Sequence, residues 1–297
     1  MEATDPKENP VTRSSLLTTI TTRAAAVLAA GALAFSGAAL APTAAVAAEH
    51  GDAPTQESIT KDGPYEVTST KLKAGEFSGF GGGTLFYPAN PKDGEKYALV
   101  VTMPGFVEPG SVNEVIAKRL ASHGFIVLQA NTYTGFEQPQ QRATMAVRAM
   151  DSGLKHPAIQ KIVDKDRTAL VGHSMGGGGV LYAAQAREFD AVIAVHPWAK
   201  EGFPRVNEPT LVVGGMLDNV APYAQYALPI YGSLTGAKDR YLINHLTGTH
   251  WAGNVDDPAL QGRMLSFMKV HVDGDERYAE LLCQDALPST TFRSPSC

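Results

Sequence analysis

Ser174, Asp218 and His250 are the residues of this chain whose types and order could carry nucleophilic chemistry. A serine hydroxyl attacks a carbonyl poorly until a histidine takes its proton, and the resulting imidazolium needs a carboxylate to orient it and balance its charge. Gly172, His173, Ser174, Met175 and Gly176 spell G-x-S-x-G inside "ALVGHSMGGGGVLYAA", where an apolar run gives way to a helical pattern. In that context the motif predicts a nucleophile elbow, a strained strand-to-helix turn that exposes the serine oxygen, and folds built on it use the chain order serine, acid, histidine. Asp218 follows the apolar run "TLVVGG", which places it at the carboxyl edge where open α/β sheets assemble their sites. His250 lies in the loop-like "TGTHWAGN" after the strand-like "RYLINHL".

Competing residues have blander readings. His173 sits inside the elbow and points away from the serine, which suits packing or hydrogen bonding. His196 ends one strand and His245 lies within another, while Glu201 and Asp239 read as surface charges. The glycine cluster does not read as a phosphate cradle, because G-x-x-x-x-G-K-[ST] is absent, and "GFGGGT" (79–84) has threonine where a dinucleotide fingerprint needs its last glycine. A developing oxyanion needs donors, commonly the N–H after the nucleophile and one from the loop after an early strand. Met175 offers the first, and Phe106 in "VVTMPGFVEPG", with Gly105 permitting the turn, offers the second.

Short apolar runs at 97–104, 125–131, 168–173, 191–197 and 210–217 are what strands buried on both faces of a parallel sheet require. Helical patterns alternate with them: Val112, Val115, Ile116 and Leu120 before a stop at Gly124, then Met145, Val147 and Met150, then 180–186. The alternation predicts a doubly wound, mostly parallel α/β sheet. "YEVTSTKLKA" and "GTLFYP" alternate polar and apolar residues instead, and predict antiparallel strands at one edge.

Arg13 and Arg23 precede an Ala/Leu/Val-rich run (24–41) that leads into "PTAAVAAEH", which reads as a secretory signal peptide over 1–48 cleaved near Ala47 or Ala48. Residues 49–297 then form one catalytic domain, with no linker or repeat to divide them. The leader's charges cancel, so the mature chain keeps the formal charge of -5, and with no basic stripe it is a poor partner for nucleic acid. Cys283 and Cys297 are the chain's two cysteines, and in an exported protein they most simply make one disulfide tethering the tail.

Taken together, "DGPYEV", "GFGGGTLFYP", "PGF", "RLASHGFIV", "GHSMGGGG", "HPWAK", "LDNVAP" and "DERYAELLC" resemble the bacterial cutinases and polyester hydrolases over almost all of the mature chain. The resemblance implies an α/β-hydrolase without a lid or cofactor that cleaves carboxylic esters, including polyesters, through an acyl-enzyme. It implies Ser174 as nucleophile, Asp218 as acid, His250 as base, Phe106 and Met175 as oxyanion donors, Trp198 as an aromatic wall against the acyl part, and a Cys283–Cys297 disulfide. Departures fall at Phe106, where relatives usually have tyrosine, and at Trp251, which crowds the histidine. Met216 replaces a carboxylate that helps some relatives bind calcium, so no metal contact is expected there. Phe106, Trp198 and Trp251 are then the expected substrate contacts. The expectation is a secreted, monomeric serine esterase without stable membrane anchoring, acting on an ester or polyester. A general short-chain carboxylesterase or lipase, or an acyltransferase using the same triad, are the alternatives.

Overall fold

The computed structural model describes residues 48–284 and 290–297. The signal-peptide reading of 1–48 therefore lies outside the described residues except at Ala48. Among the described residues nine strands make one sheet: β1 (Val67–Leu72), β2 (Gly83–Pro88), β3 (Tyr97–Met103), β4 (Ile126–Ala130), β5 (Val163–His173), β6 (Ala191–Val195), β7 (Thr210–Gly215), β8 (Arg240–His245) and β9 (Thr290–Arg293). Their order is β1-β2-β4-β3-β5-β6-β7-β8-β9. The strands from β4 to β8 in that order run parallel, while β1, β2 and β9 add antiparallel pairings at the two sides. The mostly parallel α/β sheet and the antiparallel opening strands agree with the sequence pattern.

The α-helices among the described residues are α1 (Glu114–Ser122), α2 (Pro139–Gly153), α3 (Met175–Ala184), α4 (Ala227–Ser233), α5 (Pro258–Met268) and α6 (Ala279–Cys283). Strand β3 illustrates why its residues are nearly all apolar, Thr102 being the exception. Leu99, Val101 and Met103 enter one core with Met150 and Val180, whereas Ala98 and Val100 enter the other with Leu120 and Leu265. Both faces are dry, so alternation disappears.

One boundary differs from the pattern. Val112 belongs to a 3-10 turn (Gly110–Asn113), and the α-helix starts only at Glu114. The tail is not held by a disulfide alone. Cys283 and Cys297 are bonded, and the segment between them contributes β9, which pairs with β8. In the chain-entropy model a loop of this size contributes about 3 kcal/mol.

The carboxyl ends of the parallel strands lie along one edge, and the loops leaving them carry Phe106, His196, Asp218 and His250, with Ser174 directly after β5. Elsewhere the fold buries histidines that gain nothing from charge. Burial lowers His50, His123 and His271 to about 4 from an ordinary value of 6.5. The unfolded chain therefore binds more protons than the folded one between those values, and stability is lost as pH falls from about 6.5 to about 4. Asp190 and Glu208, raised by burial, act in the opposite sense but are fewer. The melting temperature should fall across this window, and less steeply in His123→Gln, which retains a donor for the Lys61 carbonyl. A variant profile parallel to the parent's would remove His123 from the account.

Candidate active site

Strand β5 ends at His173, and α3 begins at Met175, so the whole turn rests on Ser174. That residue has φ 54° and ψ -120°, a conformation costly for a side chain with a Cβ. Its backbone is pinned on both sides: Ser174 N–H donates to Val195 O at 3.0 Å, and Trp198 N–H donates to Ser174 O at 2.8 Å. The flanking glycines are required by close approach. A Cβ on Gly172 would lie 2.2 Å from Gly176 O, and one on Gly176 would lie 2.3 Å from Met103 O.

Asp218 and His250, singled out by chain order, lie within hydrogen-bonding distance of each other. His250 Nδ1 lies 2.8 Å from Asp218 Oδ2, and both side chains are almost completely buried. Asp218 Oδ1 accepts from Val220 N–H at 2.9 Å and Ala221 N–H at 2.7 Å. His196 Nδ1 lies 2.9 Å from the same Oδ2. Since a carboxylate only accepts, both imidazoles donate from Nδ1, and His250 presents Nε2 as a base. Burial pushes the Asp218 carboxyl up, but the hydrogen bonds from His196, His250 and Ala221 outweigh it and hold the group well below the ordinary carboxylate range.

The loops are joined as well as adjacent. Met216 N–H donates to His245 O and Leu217 N–H to Gly248 O, which binds the Asp218 loop to the His250 loop. His245 itself bonds Asp257 at 3.0 Å and takes no part with Asp218. Glu201 meets Tyr182, and Asp239 meets Ser296, so neither acid competes for His250.

On the opposite side, the loop after β3 brings Gly105 against the elbow: a Cβ there would be 2.7 Å from Ser174 Cβ. Glu108 Oε2 accepts from Gly105 N–H at 2.6 Å and faces His173 Nδ1 at 2.9 Å, while His173 Nε2 faces His250 O at 2.7 Å. The His173 ring thus lies between the Glu108 carboxylate and the His250 carbonyl, and links the loop after β3 to the loop after β8. Glu108 was not singled out by sequence, because a glutamate in a loop carries no spacing signal. Arg142, wholly buried, donates to Pro104 O at 2.9 Å and Gly135 O at 2.7 Å, fastening the loops after β3 and β4 together.

Among the described residues the non-glycine positions with positive φ are Val107, Ser174 and His196. All three stand at this edge. Phe106 is half exposed and packs edge-on to Phe136 at 5.5 Å. Trp198 is half-buried and stacks on Tyr226 at 6.0 Å. Trp251, 47% exposed, lies 5.5 Å from the His173 ring and 5.9 Å from that of His250.

A family model described as PET hydrolase-like matches residues 42–296. A bis(hydroxyethyl) terephthalate hydrolase of Streptomyces coelicolor is 37% identical, with 93% of this chain and 89% of that protein aligned. A cutinase of Thermobifida fusca is 34% identical over 91% of this chain and 90% of its own length. Cutinase est1 of Thermobifida alba is 33% identical, covering 79% and 80% respectively.

A hydrogen bond to a charged acceptor contributes about 1.5–3 kcal/mol, so Glu108→Ala should speed hydrogen exchange at the Gly105 amide by roughly ten- to a hundredfold in mass-spectrometric or NMR measurements. Unchanged exchange would mean that Arg142 and the Val107–Gly135 backbone bond hold this loop without Glu108.

Proposed function

The chain belongs to the PET hydrolase-like family, and we propose that as a carboxylic ester hydrolase it works through Ser174 as nucleophile, His250 as general base and acid, and Asp218 as the carboxylate behind it. The observation that carries this assignment is the buried Asp218–His250 hydrogen bond at 2.8 Å beside a serine held at positive φ.

His250 Nε2 takes the proton from Ser174 Oγ as that oxygen bonds to the ester carbonyl carbon, and the carbonyl π electrons move to oxygen. The N–H groups of Phe106 and Met175 stabilise that oxyanion. As the C–O bond to the leaving group breaks, the alcohol departs with the proton from His250. Water then attacks the acyl-serine, gives its proton to His250, and the acid is released as Ser174 regains its hydrogen. Asp218 keeps the imidazole in its Nδ1–H tautomer and balances the imidazolium in each half-reaction.

The rim of this site favours an apolar polymer as substrate. The exposed large hydrophobic side chains among the described residues are Phe106 and Val107 after β3, Tyr133 and Phe136 after β4, Met216, Leu217 and Val220 after β7, and Leu246, Trp251 and Val255 after β8. Scattered apolar side chains need no explanation, but their confinement to four loops around one site does. Only residues 196–209 separate β6 from β7, a connection too short for a domain-sized cover. An internal ester of a film can then approach without a chain end threading inward. Phe106 and Trp198 form the apolar walls, and Trp251 narrows the histidine side, which favours flexible aliphatic chains over stiff aromatic ones. The leader composition of 1–48 supports action outside the cell.

Ser174→Ala and His250→Ala should each lower kcat on a soluble p-nitrophenyl ester by more than about a thousandfold with circular dichroism unchanged; retained turnover in either would refute its role. Release of soluble acids from films should be faster for an aliphatic than an aromatic polyester, and Trp251→Phe should raise the aromatic-to-aliphatic ratio. An unchanged ratio would remove Trp251 from the account. No release from either film would leave a short-chain carboxylesterase, and ester products with added alcohol would indicate acyl transfer.

A further inference from the structure

We propose that His196 is a positioning residue for the Asp218–His250 pair, donating Nδ1–H to the same carboxylate oxygen and thereby fixing the carboxylate and moderating the negative charge that His250 meets. The inference rests on the roles given above to Asp218 and His250.

The geometry leaves Asp218 no freedom. Oδ1 is occupied by Val220 and Ala221 N–H, and Oδ2 lies 2.8 Å from His250 Nδ1 and 2.9 Å from His196 Nδ1. Without His196 the second oxygen would have one donor, and all of its charge would be directed at His250. The His196 side chain is wholly buried, and its backbone N–H is anchored to Val213 O at 2.7 Å. Space for the ring depends on Gly215, where a Cβ would lie 3.0 Å from His196 Cε1.

The chain carries this imidazole at two evident costs. His196 has φ 45°, a left-handed conformation unfavourable for a residue with a Cβ. Its Nε2 is buried with no hydrogen-bond partner, and a buried unpaired polar atom is destabilising. The compensating contact that the ring makes is the hydrogen bond to Asp218. Backbone strain of this kind persists where surrounding structure enforces it, and it concentrates at functional sites.

Burial disfavours the charged form of the His196 imidazole and holds it below its ordinary value, which suits a neutral Nδ1–H donor to Asp218. The titratable groups facing His250 are Asp218 and His196, His173 with its ring centroid 4.8 Å away, and Glu108 behind His173.

His196→Leu removes the donor while keeping an apolar side chain, whereas His196→Asn keeps an N–H donor near the Nδ1 position and tolerates positive φ. With a soluble p-nitrophenyl ester, kcat/KM should be followed against pH for the parent, both variants and His250→Ala. In His196→Leu, the unshared charge on Oδ2 should hold the His250 proton more tightly and move the acid limb up by about half to one pH unit. Its plateau kcat should fall about tenfold with KM within about twofold, since the carboxylate loses the donor that aligns it with His250 while substrate binding is untouched. His196→Asn should return the limb to the parent's position. A His196→Leu limb coincident with the parent's, or an Asn limb displaced as far as the Leu limb, would overturn the proposal while a collapsed His250→Ala left the triad assignment standing. Parent-like turnover in His250→Ala would overturn both. Should His196→Leu not fold, nitrogen NMR of the histidine-labelled parent decides: Nδ1–H at His196 throughout pH 5–8 supports the proposal, and Nε2–H there overturns it.

Discussion

The Asp218 carboxylate accepts four hydrogen bonds in a dry setting: two from backbone N–H groups and two from imidazoles. An isolated charge could not be buried there, because desolvation would neutralise it. The donors reverse that outcome and keep the group ionised. Each donor comes from a segment that the sheet brings to the same edge: the Asp218 loop itself, the end of β6 and the loop after β8. The parallel strands thus act as a jig, and the site exists because their carboxyl ends converge.

Holding those loops together carries a conformational cost that the surrounding packing sustains. Val107, Ser174 and His196 adopt positive φ, and each is tied by a backbone bond to a neighbouring strand or loop: Val107 to Gly135, Ser174 and His196 to β6 and β7. Arg142 secures the loop after β3 from below, and Glu108 secures it from the elbow through Gly105 and His173. His173 then reaches the His250 carbonyl. Three loops that share no sequence proximity are thereby linked through a short chain of hydrogen bonds, which limits how far Ser174, His250 and the loop after β3 can drift apart.

Much of this was legible in the chain. Runs such as 97–104 and 210–217 had to be strands of a double-faced sheet, and G-x-S-x-G between strand and helix marked the turn at Ser174. Chain order then selected Asp218 and His250, which the fold brings within hydrogen-bonding distance. Other features were not legible. Glu108 reaches the His173 side chain and Arg142 the Pro104 carbonyl, both far away in sequence, and no motif records such a partner. His196 ranked as a competitor to His250, yet it joins the same carboxylate, a relation set by the neighbouring positions of β6 and β7. The short β9 has too few residues for a pattern, and its pairing with β8 depends on where the tail lies.

The central claim is that this edge is assembled for attack by Ser174, with His250 behind it and an oxyanion site opposite. A crystal structure of the protein inactivated by an alkyl phosphonate ester tests it most directly. The account predicts phosphorus bonded to Ser174 Oγ, a phosphoryl oxygen within hydrogen-bonding distance of both Phe106 N and Met175 N, and His250 Nε2 beside Oγ with Nδ1 still on Asp218. An adduct on another residue, or a phosphoryl oxygen directed away from those two amides, would contradict it.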